Sequence, residues 1–328
     1  MSREARSNLS PAPDVPGGRR WALRLLLLVV STAVALALTE GWARWVYRPV
    51  LDLRGEFRGM QFYTNQLNAL GFREGELIAE TLSVRTRRIL FLGDSFTFGS
   101  GIDDPRLRFT DRLEAELGAG FHLYNAGIPA SRPSEWVAIA RALLPDYRPE
   151  AVVAVFFLRD GTELGTSLVH HETRIAEIKA EHCDGALYRH SFLARRICDR
   201  RVLREFTAWY LGEFRAAYLG SEPQRRMWIA MQKELLVLRD LSVEAGASFH
   251  IVVFPLIFGL RDYAFHDVEA EILQFAAGHD IPAMSLIAGF EGHDERDLWV
   301  SPIDQHPNAT GHRIAADTLL PYLEQILE

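Results

Sequence analysis

Cysteine is nearly absent from this 328-residue chain. Cys183 and Cys198 are the whole complement, and they form no CxxC or Cys/His pattern, which argues against a structural zinc site and a disulfide-dense scaffold. If the domain lies outside the cytoplasm the pair can close one disulfide; the alternative is two free thiols in a helical stretch. A positive excess is missing as well. The 36 basic and 43 acidic side chains leave a net charge of -7, with none of the basic field that draws in nucleic acid. No internal repeat is present, and nothing in the sequence implies a metal or other cofactor. What the chain has in quantity is apolar material, 48% of its residues, ample for a large core.

Acidic residues are missing altogether from Trp21 to Thr39, which reads WALRLLLLVVSTAVALALT. About 20 apolar residues in helical form span the hydrocarbon layer of a bilayer, so the segment is expected to be a single-pass membrane anchor. Arg3, Arg6, Arg19, Arg20 and Arg24 precede or open it, and this excess places the amino terminus in the cytoplasm and the rest of the chain across the membrane. The alternative is a cleaved signal peptide, with Ala35-Leu36-Ala37 resembling a cleavage site. The expected organisation is a tail over 1–20, an anchor over 21–39, a membrane-proximal lead-in over 40–87 and one domain over 88–328.

Within that domain, short apolar runs at 88–93, 121–124, 151–157 and 249–254 read as strands. Between and after them lie helix-period stretches at 109–117, 133–144, 223–245, 268–277 and 310–327. Strands alternating with helices predict a parallel sheet covered on both faces, a three-layer α/β/α arrangement. Functional residues of such sheets collect at the carboxyl ends of the strands. The stretch from about 166 to 224 breaks the rhythm and reads as a helical insertion, whose His170, His171, His182 and His190 belong to a solvated surface.

The chemistry is carried by constellations far apart in the chain. Gly93-Asp94-Ser95-Phe96 follows the first strand, where a glycine lets the backbone turn sharply and present the serine hydroxyl at the sheet's edge. A serine is a weak nucleophile without a base. Asp304-Gln305-His306-Pro307-Asn308 precedes the last helix and supplies one: the His306 imidazole, with Asp304 to hold its tautomer. Pro307 and Asn308 suit the turn that presents it. His312, on the first turn of that helix, reads as structural.

GDSFTFG at 93–99, Asn125-Ala126-Gly127-Ile128-Pro129 and DQHPNATGH at 304–312 resemble, in order and separation, the blocks of the SGNH/GDSL hydrolase superfamily. Asn65 through Gly71-Phe72-Arg73 resembles a stretch found ahead of the serine block in bacterial members, so the likeness runs from Asn65 to the end, apart from the insertion. The resemblance implies a flavodoxin-like fold and a serine esterase acting on acyl or acetyl esters of small molecules, lipids or glycans. Ser95 would be the nucleophile, His306 the base and Asp304 its partner. The backbone amides of Ser95 and Gly127 would form the oxyanion hole, in the block that begins with Asn125. The chain departs from the family pattern twice. Arg159 stands where an oxyanion-hole Asn is usual, and it either serves the oxyanion by charge or pairs with a nearby carboxylate. Ile303 stands where the usual Asp would be, leaving the shorter Asp304-x-His306. An O-acyltransferase, or a non-catalytic glycan- or partner-binding module, would use the same scaffold.

Overall fold

The structure is a computed structural model, described here for residues 17–46, 67–76, 86–164, 168–183, 185–302 and 304–327. Asn65 and Ile303 lie outside the described residues, as do the side chains of His170 and His171. The chain divides into two units, one of residues 1–57 with 174–206 and the other of 58–173 with 207–328.

In the first unit, α1 (Gly17–Val46) contains an apolar span, Arg20–Arg44, long and apolar enough to cross a membrane. The helix outruns the expected 21–39 at both ends. Beyond Thr39 it continues through Glu40, which pairs with Arg44 one turn on at 2.9 Å. Glu40 also collects the first groups of a later helix: it accepts from the Phe192 amide, from the Leu193 amide at 2.9 Å and from the Ser191 hydroxyl at 2.8 Å. A carboxylate at a helix start satisfies amides that have no partner within the helix. Cys183 and Cys198 are bonded, their Cα atoms 5.9 Å apart, and sit in a small core with Ile178 and Val202.

The second unit is built on a five-stranded sheet: β1 (Arg87–Gly93), β2 (Phe121–Gly127), β3 (Ala151–Phe157), β4 (Ser248–Phe254) and β5 (Ala283–Ser285). All neighbours are parallel, in the order β2-β1-β3-β4-β5. Every residue of β3 is buried, as a strand covered on both faces must be, and its sequence AVVAVFF is accordingly apolar without alternation. The helices are α2 (Ser95–Phe98), α3 (Phe109–Leu117), α4 (Pro133–Tyr147), α5 (Leu168–His182), α6 (Ala186–His190), α7 (Phe192–Leu219), α8 (Glu222–Glu244), α9 (His266–Ala277), α10 (Ile287–Phe290) and α11 (Ala309–Leu327). Of these, α6 lies in the first unit and α5 and α7 run from one unit into the other.

Parallel register assigns the helices to layers. Phe91 pairs with Val153, so Phe156, three residues on, points to the opposite face. Phe91 meets Phe109 of α3, whereas Phe156 meets Trp136 of α4 and Trp228 of α8. One layer is therefore α4 with α8, and the other contains α3 with α11, which packs along it. The three-layer expectation and its four strands are observed; β5, three residues at the edge, has too little apolar pattern to announce itself. The insertion is helical where it is described, as α5, α6 and α7.

Two histidines are built into this core as neutral groups. Burial pushes His250 down to about 4 and His312 down to about 3. His312 Nδ1 accepts from the Phe109 amide at 3.3 Å, and its ring stacks on Phe109, so it is a packing residue of the α3–α11 layer. Unfolded, both imidazoles titrate near about 6.5. Below that pH the unfolded chain binds protons that the folded chain refuses, so these residues lower stability as pH falls from about 6.5 toward their folded values. The buried Asp94 and Asp160 have raised pKa values and act in the opposite sense. The contribution of His250 is therefore read as a difference: the urea midpoint of the wild type should fall relative to that of His250→Gln as the pH is lowered from about 7 to 5. Parallel curves would show that His250 is not held neutral.

Candidate active site

Ser95 opens α2 directly beyond β1, and the turn packs without slack against the ends of β1 and β2. A Cβ on Gly93 would lie 2.0 Å from Thr97 Oγ1, and one on Gly127 would lie 2.4 Å from the Phe98 amide nitrogen. Any side chain at either position would push α2 off the ends of β1 and β2. Asp94 caps α2 by accepting from the Phe96 amide at 2.8 Å. Its carboxylate lies 3.4 Å from Ser95 Oγ, but burial raises its pKa and favours the neutral acid.

The sheet order reverses direction between β1 and β3, which opens a crevice at their carboxyl ends. Ser95 follows one of these strands and Arg159 the other. His306 arrives from the far end of the chain on β7 (Asp304–Pro307), which pairs antiparallel with β6 (Trp299–Ser301). The turn into α11 is fixed by Asn308. Its amide donates to the Asp297 and Trp299 carbonyls at 2.8 and 3.0 Å, and its oxygen accepts from the Thr310 and Gly311 amides at 2.8 and 3.1 Å. Thus held, His306 Nε2 lies 2.9 Å from Ser95 Oγ and Nδ1 lies 2.5 Å from Asp304 Oδ1.

That network assigns the roles of the ring nitrogens. Nδ1–H donates to the carboxylate, and Nε2 presents its lone pair to the serine hydroxyl, which donates. Asp304 is held below the usual carboxylate range, first by its hydrogen bond from His306. Asp304-x-His306 thus reaches the imidazole in spite of the short spacing, because the Asp304 carboxylate also accepts the His306 backbone amide at 3.1 Å.

The remaining expected residues are placed differently from one another. Asn125 is buried and ties the turn together: its amide donates to the Thr97 carbonyl at 2.6 Å and to Thr110 Oγ1 at 2.9 Å, and its oxygen accepts the Gly127 amide at 3.0 Å. The Gly127 amide is therefore engaged inside the turn. Arg159 instead faces a cavity of about 250 Å³ beside His306, walled by Phe96, Phe157, Leu256 and Ile257. Its guanidinium lies 5.8 Å from the Phe157 ring centre, and Phe157 stacks on Phe96 at 4.0 Å. Asp160, next in sequence, turns inward to accept the Phe157 amide at 3.0 Å, and burial, reinforced by nearby Asp94, pushes its pKa well up.

Two buried arginines that the sequence did not single out for this purpose support the loop behind the serine. Arg73 donates to the Gly99 and Asp103 carbonyls at 3.1 and 2.9 Å. Arg108 donates to the Arg73 carbonyl at 2.8 Å and pairs with Glu74 and Asp111, each at 2.7 Å. The Gly71-Phe72-Arg73 segment, expected as part of a lead-in, is thereby a wall of this unit. The signal for it was the resemblance alone, since a charged residue in a polar stretch gives no hint of burial.

No family model matches the chain, and no curated protein does. Solved structures similar to it include TesA, at 15% identity over 73% of this chain and 99% of that one, with a TM-score of 0.45. Others are the psychrotrophic esterase EstA from Pseudoalteromonas sp., at 16% identity over 74% and 98% with a TM-score of 0.44, and a carbohydrate acetylesterase family member from Sinorhizobium meliloti, at 13% over 74% and 99% with a TM-score of 0.43.

The geometry is testable without reference to any reaction. A proton held between His306 Nδ1 and Asp304 at this distance should give a far-downfield, slowly exchanging resonance in nitrogen-correlated NMR spectra. Asp304→Ala should abolish it and Ser95→Ala should leave it. A spectrum unchanged by Asp304→Ala would mean that the pair is not formed.

Proposed function

We propose that the chain is a membrane-anchored serine ester hydrolase of the SGNH/GDSL kind, with Ser95 as nucleophile, His306 as base and Asp304 as the group that orients and stabilises it. The observation that carries the reading is the continuous Ser95–His306–Asp304 hydrogen-bond chain at the carboxyl ends of the strands. In the proposed reaction Ser95 Oγ bonds to the ester carbonyl carbon while its proton passes to His306 Nε2. The tetrahedral intermediate collapses with cleavage of the carbon–alcohol bond, and the leaving alkoxide takes the proton back from Nε2. Water, activated by the same imidazole, then releases the acid and restores Ser95.

The amide of Ser95, at the start of α2, is the proposed oxyanion donor from the nucleophile's own turn. A second donor at Gly127 requires that its amide be shared with or released from Asn125. The cavity of about 250 Å³ beside His306 suits a short acyl or alcohol group rather than a long chain. An extracytoplasmic active domain is supported by the arginines that flank the amino-terminal side of the apolar helix and by the Cys183–Cys198 bond, which persists in oxidising compartments.

The reading is tested by treating the full chain in detergent micelles with a fluorophosphonate probe and mapping the adduct by peptide mass spectrometry. Labelling is expected at Ser95, lost in Ser95→Ala and reduced in His306→Ala. Hydrolysis of short acyl esters should fall at least about a thousandfold in either variant. Equal hydrolysis by wild type and Ser95→Ala, with no adduct on folded protein, would turn the reading to a non-catalytic binding module.

A further inference from the structure

Arg159 lines a mixed cavity whose apolar side chains share the wall with Asp304, Gln305 and His306. Half-buried beyond β3, it shares its cavity with Phe96, Leu256 and Ile257, and its guanidinium rests near the face of Phe157. Among the described residues it has no ion-pair partner. The acids around it are committed elsewhere. Asp94 accepts the Phe96 amide, Asp160 accepts the Phe157 amide, and Asp304 is bonded to His306. A cation that is partly desolvated and not directly paired is costly in such a wall, and an anion arriving in the cavity would relieve that cost with a bidentate, charge-assisted contact.

We infer that Arg159 is a receptor for an anionic substituent, so that the preferred ester carries a carboxylate or phosphate close to its scissile bond. This rests on the esterase reading above and assigns that site its substrate class. It differs from a role at the oxyanion in a measurable way. Every tetrahedral intermediate carries the same developing charge, so an oxyanion group serves all esters alike. A receptor for a substituent serves only the esters that possess it.

The test uses the full chain in detergent micelles and three aryl acetates: phenyl acetate, 4-acetoxybenzoate and 4-acetoxyphenyl phosphate. For each, kcat/KM is compared between wild type, Arg159→Gln and Arg159→Lys, with fluorophosphonate labelling of Ser95 confirming that each variant is folded. Arg159→Gln should lower kcat/KM for at least one of the anionic esters by about ten- to a hundredfold while phenyl acetate changes by less than about twofold. Arg159→Lys should recover part of the loss. The anionic ester that suffers more identifies carboxylate or phosphate as the favoured group. Equal losses on all three would move Arg159 to the oxyanion, and no loss on any would make it a packing residue; either result overturns the inference while leaving the esterase reading intact. Absence of labelling in the wild type would instead remove the reading on which the inference depends.

Discussion

The site depends on how closely the backbone of α2 approaches the ends of β1 and β2. Gly93 and Gly127 are paired across the two strands, and a methyl group on either would collide with the turn that holds Ser95. Packing at this density has no slack. At Gly127 the approach is to the main chain of Thr97 and Phe98, and at Gly93 the Thr97 Cβ would lie 2.7 Å away, so neither can be relieved by choosing another rotamer. Asn125 then fixes what the glycines permit, joining Thr97, Thr110 and Gly127 in one buried hydrogen-bonded group.

The same crowding explains why two carboxyl groups near the serine hold different positions in the network. Asp94 is adjacent in sequence, but it is buried and committed to capping α2, and burial favours its protonated form. Asp304 comes from another part of the chain and keeps contact with solvent, its side chain 41% exposed, so its charge is sustained and available to an imidazolium. Environment rather than proximity selects the partner of His306.

Much of this was legible in the residues. The buried strands announce themselves because covered parallel strands must be continuously apolar, and β3 shows it throughout. Ser95 and His306 were singled out because a glycine-turned serine and a histidine before a final helix suit a nucleophile and a base, and their Oγ and Nε2 lie 2.9 Å apart. The expected reach of Asp304 across a short spacing also corresponds to the observed bond. Less legible were the features set by tertiary contact. The engagement of the Gly127 amide depends on where the Asn125 side chain turns, and the burial of Arg73 and Arg108 depends on carbonyls of loops distant in sequence that accept from their guanidinium groups. The extent of α1 beyond the expected anchor at 21–39 was not legible, because hydrophobicity marks a bilayer span, whereas helix can continue through charged residues such as Glu40 and Arg44.

The serine hydroxyl and the imidazole that meets it are separated by 211 positions along the chain. During synthesis the strand that presents Ser95 is complete long before His306 has been added, and the final helix that anchors the imidazole turn comes later still. The pair therefore closes only when essentially the whole polypeptide has been made and its last segment has docked. A chain released early would carry the serine without the imidazole that meets it, so truncation would leave this hydrogen-bonded pair unformed.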